Sequence, residues 1–478
     1  MNKKFDVIKK KHILITAAVY LLIIAVWFFA AYDKLMYTEY YPTAGRTDNS
    51  QYIGEITDGV TVSQSFMSDY DEIRGFSIVT ATYNRTNYGS MFLDVYDQDG
   101  QLLERIEKPA DEIANDTATY FEAPEPIRNV YKKALTLTIS SDMEAGTAAT
   151  VYYGDSDNYR LREATLNKKP VEGAVLMYAG GLKYRWFGQN FWFITIGVLV
   201  LLTGYLCYLY NCQKEERDTF GLKLIRELVR YRFLLSQLVA KDFKTKYKRS
   251  VLGVLWSLLN PLLTMFVQYV VFSTIFRMNI ENYSVYLLSG IVMFNFFNEA
   301  VSQSLGSIVS NANLITKVCS PRYIYPVSKV LSSGINFLFT LIPLTIFIII
   351  TGVPITPALI LFPYCVVTLL LFNIGLGMLL SAVMVFFRDT QFLWGVISML
   401  WMYATPIFYP EDILPEKFMA LFRLNPMYHY IGFARTVILH GTSPDIFEYI
   451  WCFVWSAVML AAGALVFRKC QNKFAMYI

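Results

Sequence analysis

The stretch KDFKTKYKRSVLGVLWSLLNP, residues 241–261, runs a basic segment straight into an apolar one, and its reading decides the fold. Upstream, Leu224, Leu228, Tyr231, Leu235, Leu238 and Phe243 recur at the spacing of one helix face. Lys241, Lys244, Lys246, Lys248 and Arg249 then stand where cationic heads snorkel toward anionic lipid headgroups. The pattern predicts an amphipathic helix on a membrane surface, turning without a break into a long apolar span that carries Trp256 and an Asn260–Pro261 break. Taken alone it fits a juxtamembrane anchor as well as a membrane machine worked from the cytoplasmic side. The rest of the chain favours the machine.

Of 478 residues, 55% are hydrophobic and 16% aromatic. Crossing a hydrocarbon core of ~30 Å takes about twenty apolar residues. Eight stretches qualify: roughly 13–32, 190–211, 251–276, 284–309, 327–351, 357–386, 391–409 and 446–467. Each is expected to be helical, since lipid offers no partner to backbone polar groups. The first is too long, and lacks the small-residue cleavage site, for a removed signal peptide, so a retained anchor is expected. Lys3, Lys4, Lys9, Lys10 and Lys11 precede it, which places residues 1–12 in the cytoplasm. Eight crossings return the tail 468–478, with Arg468, Lys469 and Lys473, to the same side. The basic loop 212–250 and Arg388 also fall inside, and the outer connection 352–356 has neither Lys nor Arg.

The net charge of +4 reflects these inner flanks; no basic stripe interleaved with aromatics suggests nucleic-acid binding. The cysteines at 207, 212, 319, 365, 452 and 470 are dispersed and have no metal spacing. His12, His429 and His440 are likewise too scattered for a metal centre.

Residues 33–187 have a different grammar. Short β-rich runs (GVTVSQSFM, GFSIVTATYN, SMFLDVYDQDGQLLERI, TATYFEA, ALTLTIS, TAATVYYG) alternate with turn signals, and Asp99–Gly100 between alternating hydrophobics marks a hairpin. Six to eight strands at this spacing predict an antiparallel β-sandwich of jelly-roll type, without disulfides, outside the cytoplasmic membrane. The expected fold is therefore a polytopic α-helical membrane protein with an inserted extracytoplasmic β-sandwich. After the segments 13–32 and 188–211, a surface helix within 212–250 leads into a six-span domain, 251–467.

Within that domain the inner loop NANLITKVCSPRYIYP, residues 311–326, is short and partly helical by pattern. It reads either as a plain connector or as a docking knob for a soluble partner. Segment 410–445 holds two short amphipathic patterns split at Asn425–Pro426, each too short to span, which suits a re-entrant helical hairpin.

Five motifs then combine: KDFKTKYKRSVLGVLWSLLNP (241–261), LITKVCSPRYIYPVS (314–328), FFRDTQFLW (386–394), TPIFYP (405–410) and LNPMYHYIGFAR (424–435). Their order and spacing, over about 225–470, resemble the polysaccharide-export permeases of the ATP-binding-cassette superfamily, which include O-antigen and teichoic-acid exporters. The resemblance implies a homodimer driven by two separate ATPase subunits and moving a lipid-linked polysaccharide across the plasma or inner membrane. It implies a gate or interface role for the surface helix (Lys241, Asp242, Lys244, Tyr247, Arg249). It also implies coupling to the ATPase through Leu314, Ile315, Lys317, Pro321 and Arg322. The first 215 residues depart from it, since typical members lack an outer sandwich.

The chain has no GxxxxGK[ST] loop, so ATP is hydrolysed elsewhere and no bound cofactor or catalytic residue is expected. Rings that stack on sugar faces let a chain slide, and Trp256, Phe294, Phe297, Trp394 and Tyr403 are candidates for such a path; packing or interface belts are the plainer reading. Glu299, in FFNEAVSQS, costs about 2.5–3.5 kcal/mol near a bilayer centre. It is therefore expected to face a path, a dimer seam or a structural hydrogen bond, with Asn295 and Gln303 on its face. Tyr83, Tyr88, Tyr152 and Tyr153 are candidate glycan contacts in the outer domain, or half-buried core. Two other functions stay open: an exporter of the same fold for a drug or lipid, and a membrane sugar-modifying enzyme. The latter usually needs paired acids on an early outer loop, where only Glu281 is found.

Overall fold

The computed structural model describes residues 8–154, 164–247, 253, 255–275, 282–317, 320–413 and 416–477. Two compact units form: Met1–Lys34 with Ile194–Ile478, and Leu35–Phe193.

The second unit is built of antiparallel strands. In one sheet Tyr37–Tyr40, Met177–Tyr184, Glu72–Ala81, Thr150–Gly154 and Ala174–Val175 lie side by side, with Thr117–Arg128 paired to Glu72–Ala81 and Gln51–Tyr52 to Thr150–Gly154. The other runs Lys169–Val171, Ala164–Leu166, Val62–Met67, Ala134–Ser141, Ser90–Tyr96, Leu102–Pro109. Burial alternates along Val62–Met67 and Ala134–Ser141, the period-two signature of a one-faced strand, whereas Glu72–Ala81 is buried almost throughout. Phe76 and Phe121 of the first sheet and Val62, Leu93 and Leu137 of the second share one apolar cluster. The expected hairpin lies between Ser90–Tyr96 and Leu102–Pro109. Asp97 Oδ1 accepts from the Asp99 and Gln101 amides at 2.9 and 2.8 Å, and Gly100 takes φ +80°. Met177–Tyr184 escaped the sequence reading because Gly180–Gly181 interrupts its pattern. Gly181 is needed there, since a Cβ would collide with the Glu72 carbonyl.

The first unit is helical. Its main helices are α1 (Lys10–Ala30), α2 (Phe191–Lys214), α3 (Phe220–Tyr247), α4 (Leu255–Tyr269), α5 (Tyr283–Leu305), α6 (Ala312–Lys317), α7 (Ile324–Thr351), α8 (Phe362–Phe386), α9 (Thr390–Tyr403), α10 (Glu416–Arg423), α11 (Pro426–Ile438) and α12 (Ile446–Cys470). Among the described residues six are long and apolar enough to cross a membrane: α1, α2, α5, α7, α8 with its preceding turn, and α12. Two of the eight expected spans come out shorter. Helix α4 gives way to a wider-turn segment, Val270–Ile275. Helix α9 has 14 residues, about 21 Å at 1.5 Å each, against a core of ~30 Å.

Most of α5 is buried and it forms the centre of the unit, while α1 and α2 remain largely exposed. Helices α8 and α12 cross through Gly375 and Gly463, where a Cβ on either would strike the other helix's backbone.

Two local expectations are corrected. Helix α3 is not continuous with the span: its described residues run to Tyr247, and Gly253, ahead of α4, has φ +50°, a left-handed conformation no helix passes through. Pro261 in turn does not break α4, which runs through it and gives up there the one amide hydrogen bond that a proline cannot donate.

Candidate functional site

A cleft of ≈ 480 Å³ opens beside α5, and each helix lines it with one face. Trp256, Asn260 and Thr264 come from α4 at four-residue steps; Asn295, Asn298, Glu299 and Ser302 from α5; Asn336 and Thr340 from α7; Lys246 from α3. Polar residues repeating every fourth position of apolar helices are thus gathered into one wet surface.

Glu299 is its hub. Lys246 Nζ and Gln303 Nε2 donate to Oε1 at 2.6 and 2.8 Å, and Asn336 Nδ2 donates to Oε2 at 2.8 Å. The carboxylate therefore has three donors from three helices, charge-assisted in each case. Its side chain is 26% exposed and that of Lys246 38%, so water reaches the pair. The anticipated four-residue partner Gln303 is present, but the decisive one is Lys246, 53 positions away in sequence and expected to point at lipid. That expectation for Lys246 is corrected.

The same ion pair helps fasten α3. Asp242 accepts from Lys329 Nζ at 2.8 Å, Glu227 accepts from the Tyr323 hydroxyl at 3.1 Å, and the Phe243 ring stacks on Phe339 at 5.7 Å. Leu238, with Tyr231, Leu234 and Leu235, joins an apolar cluster containing Ile324, Met378 and Phe467. The carboxyl-terminal half of the surface helix thus lies on protein, whereas Leu224 and Leu228 in its first half are exposed. Lys241 and Lys244 are exposed, Tyr247 ends α3, and Arg249 lies outside the described residues.

The aromatic path residues divide. Trp256 lines the cleft and is exposed. Phe294 and Phe297 are instead buried in a ring cluster: Phe297 lies 5.5 Å from Phe294, 6.0 Å from Trp394 and 5.0 Å from Trp401. Trp394 borders that cluster and donates from Nε1 to Ser302 at 2.9 Å, so it fixes a cleft residue from behind. Tyr403 is exposed at the end of α9, away from the cleft lining.

At the coupling loop, α6 exposes Leu314, while Ile315 packs into the cluster beneath α3. Lys317 ends α6 and Pro321 is half-buried. Arg322 donates to the Gln471 carbonyl, which ties the loop to the end of the chain. In the β unit Tyr83 and Tyr152 converge on Tyr52, Tyr88 is exposed, and Tyr153, on the opposite strand face, reaches Gln51.

A second polar cluster went unread in the sequence. Arg435, buried in α11, donates from Nη1 to the Pro406 carbonyl at 2.5 Å. Its Nη2 donates to Ile407 at 2.8 Å and to Tyr286 at 3.2 Å. Its guanidinium lies 3.4 Å over the Tyr286 ring. Tyr283 and Tyr286 hydroxyls bond the Phe408 and Tyr409 carbonyls at 2.7 and 2.8 Å. The turn 405–410 would otherwise leave carbonyls bare in an apolar setting. The available signal was an arginine at the end of an apolar motif, IGFAR.

Among the described residues no cluster of three His, Cys, Asp or Glu could hold a metal.

A family model described as ABC-2 type transporter matches residues 234–439. An O-antigen export system permease protein of Klebsiella pneumoniae is 34% identical over 246 residues, which is 51% of this chain and 93% of the relative. One from Myxococcus xanthus is 31% identical over 256 residues, 53% of this chain and 98% of the relative. A polysialic acid transport protein of Escherichia coli is 21% identical over 244 residues, 48% of this chain and 91% of the relative.

Proposed function

Because the chain belongs to the ABC-2 type transporter family, we propose that it is the membrane subunit of a polysaccharide exporter. It is a transport permease and not an enzyme, as its relatives are. The cargo is a lipid-linked surface glycan such as an O-antigen or teichoic acid, and the energy comes from a separate ATPase.

The cleft around Glu299 carries this reading. A sugar chain presents hydroxyls that donate and accept, and Asn260, Asn295, Asn298 and Ser302 offer the same in return, with the Trp256 ring beside them. Amide and hydroxyl contacts exchange readily with water, so a chain can move past them. Helix α3 lies at the cleft and is held by two ion pairs, Lys246–Glu299 and Lys329–Asp242. Releasing them moves the gate. Leu314 on α6 meets the ATPase, two copies of the chain build the pathway, and α4 and α9 with their extensions complete eight crossings. Both termini then lie in the cytoplasm and the β-sandwich outside.

The test reconstitutes the chain with its ATPase in vesicles loaded with lipid-linked glycan. ATP-dependent movement of glycan, lost in Glu299→Arg, is expected. ATP turnover indifferent to glycan, with no glycan moved, would refute the proposal.

A further inference from the structure

The β unit carries a built cluster that the cleft does not use. The Tyr52 ring lies 4.7 Å from Tyr152 and 5.2 Å from Tyr83, centroid to centroid. Asp116 Oδ1 accepts from the Tyr152 hydroxyl at 2.6 Å and from Tyr52 at 3.1 Å, and Oδ2 accepts from Asn115 at 3.0 Å. The Arg46 guanidinium stands 4.7 Å over the Tyr152 ring. Three rings from distant parts of the chain thus gather around one carboxylate, with Arg46 over the Tyr152 ring and Arg85 4.8 Å over the Tyr83 ring.

Tyr152 roots the cluster in a small apolar core with Val79, Ala81 and Leu176, and the rest of it reaches the surface. Tyr152 is buried, yet Tyr52 is 43% exposed, Arg46 is exposed, and Tyr83 and Asp116 are half-buried. The Tyr52 and Tyr152 hydroxyls are tied to Asp116, so the exposed Tyr52 ring is held in one orientation. The backbone is strained at the same place: Tyr83, Asn84 and Asp116 have φ +57°, +55° and +57°. Asn and Asp tolerate this region, but a tyrosine there is an outlier. It is held because Asn115 bridges the two turns, accepting from the Thr82 amide at 2.8 Å and donating to Asn84 at 2.9 Å. Strained residues that their surroundings over-determine gather at ligand sites.

We propose that this cluster is a saccharide-binding subsite, with Tyr52 as the platform for a pyranose face and Asp116 and Arg46 as partners for its hydroxyls. A ring face meets the C–H groups of a sugar, while a carboxylate and a guanidinium supply acceptors and donors in fixed directions. Asp116 stays ionised near neutrality, because the Tyr152 hydroxyl donates to it and holds its carboxyl below the usual range. The ligand is the exported glycan, an assignment that rests on the exporter reading above. The subsite would hold a sugar chain by one or two residues at a time.

The experiment uses full-length protein in nanodiscs and, as probe, delipidated surface polysaccharide from the source cell, with dextran as control. Binding is followed by biolayer interferometry. Tyr52→Ala and Arg46→Ala are expected to weaken binding about fivefold to tenfold, and Tyr52→Phe by less than about twofold. Tyr131→Ala, at an exposed tyrosine outside the cluster, leaves it unchanged. Arg46 and Tyr52 are exposed, so their variants keep the fold, which circular dichroism checks. No binding by the parent protein, or equal binding by Tyr52→Ala and Arg46→Ala, overturns the subsite. Vesicle export separates the two readings: export without glycan binding sinks the subsite alone, and binding without export leaves the subsite standing while the exporter falls.

Discussion

Neutralising Glu299 is the sharpest test of how the surface helix is held. At the observed 2.6 Å, Lys246 and Glu299 attract by about 6 kcal/mol at an effective dielectric of ~20 and about 1.6 kcal/mol in water. Their side chains are 38% and 26% exposed, so screening is substantial and part of the gain is offset by desolvation. A net coupling of about 1–2 kcal/mol follows, between the values usual for exposed and buried pairs. Glu299→Gln keeps one acceptor but turns an amide toward the donors of Lys246 or Asn336. A double-mutant cycle with Lys246→Met, read by reversible unfolding in detergent, should return that coupling and lose part of it in high salt. The charge-reversed pair, Lys246→Glu with Glu299→Lys, should recover part of the stability. Additivity within about 0.3–0.5 kcal/mol would refute the reasoning, because the two side chains would then not act on each other.

Arg435→Lys should destabilise the protein by about 2–4 kcal/mol, since a point charge cannot span three carbonyls as the guanidinium fork does; thermal unfolding in detergent checks this. Gly463→Leu should abolish the α8–α12 crossing and sharply reduce folded yield, while Gly197→Leu, with open space around its Cα, should be tolerated. For the β unit, Asp116 and Glu55 both have depressed carboxyl pKa values, from the Tyr152 hydroxyl and the Gly146 amide respectively. Their contribution is complete above the unfolded values near ~4 and disappears as pH falls through the lower folded ones. Asp116→Asn should therefore lower the unfolding temperature at pH 7 and make little difference near pH 2, as scanning calorimetry would show.

The hairpin at Asp99–Gly100 was legible because turn chemistry is local: Asp97 caps its own loop within four residues. The short helices on either side of Asn425–Pro426 were legible for a similar reason, as Pro426 opens α11 and the Asn425 side chain caps it. Glu299 stood out as a charge inside an apolar run. Its partner did not, since a lysine on an amphipathic helix has the same pattern whether it meets lipid or a carboxylate. Tyr52 was overlooked because a strand of two residues has no period to read.

By itself, then, the amino-acid order determined where six of the eight expected hydrocarbon-length helices form, that a strand-rich unit is set among them, and which family's motifs the second half carries. Each is a property of neighbours along the chain: apolar length, two- or four-residue period, turn residues. Only the tertiary structure decided that α3 rests half on protein, that α9 is too short to cross alone, and that Phe297 fills a ring cluster while Asn336 reaches Glu299. Such choices depend on how helices cross and which rotamers meet, distances that a one-dimensional pattern does not contain.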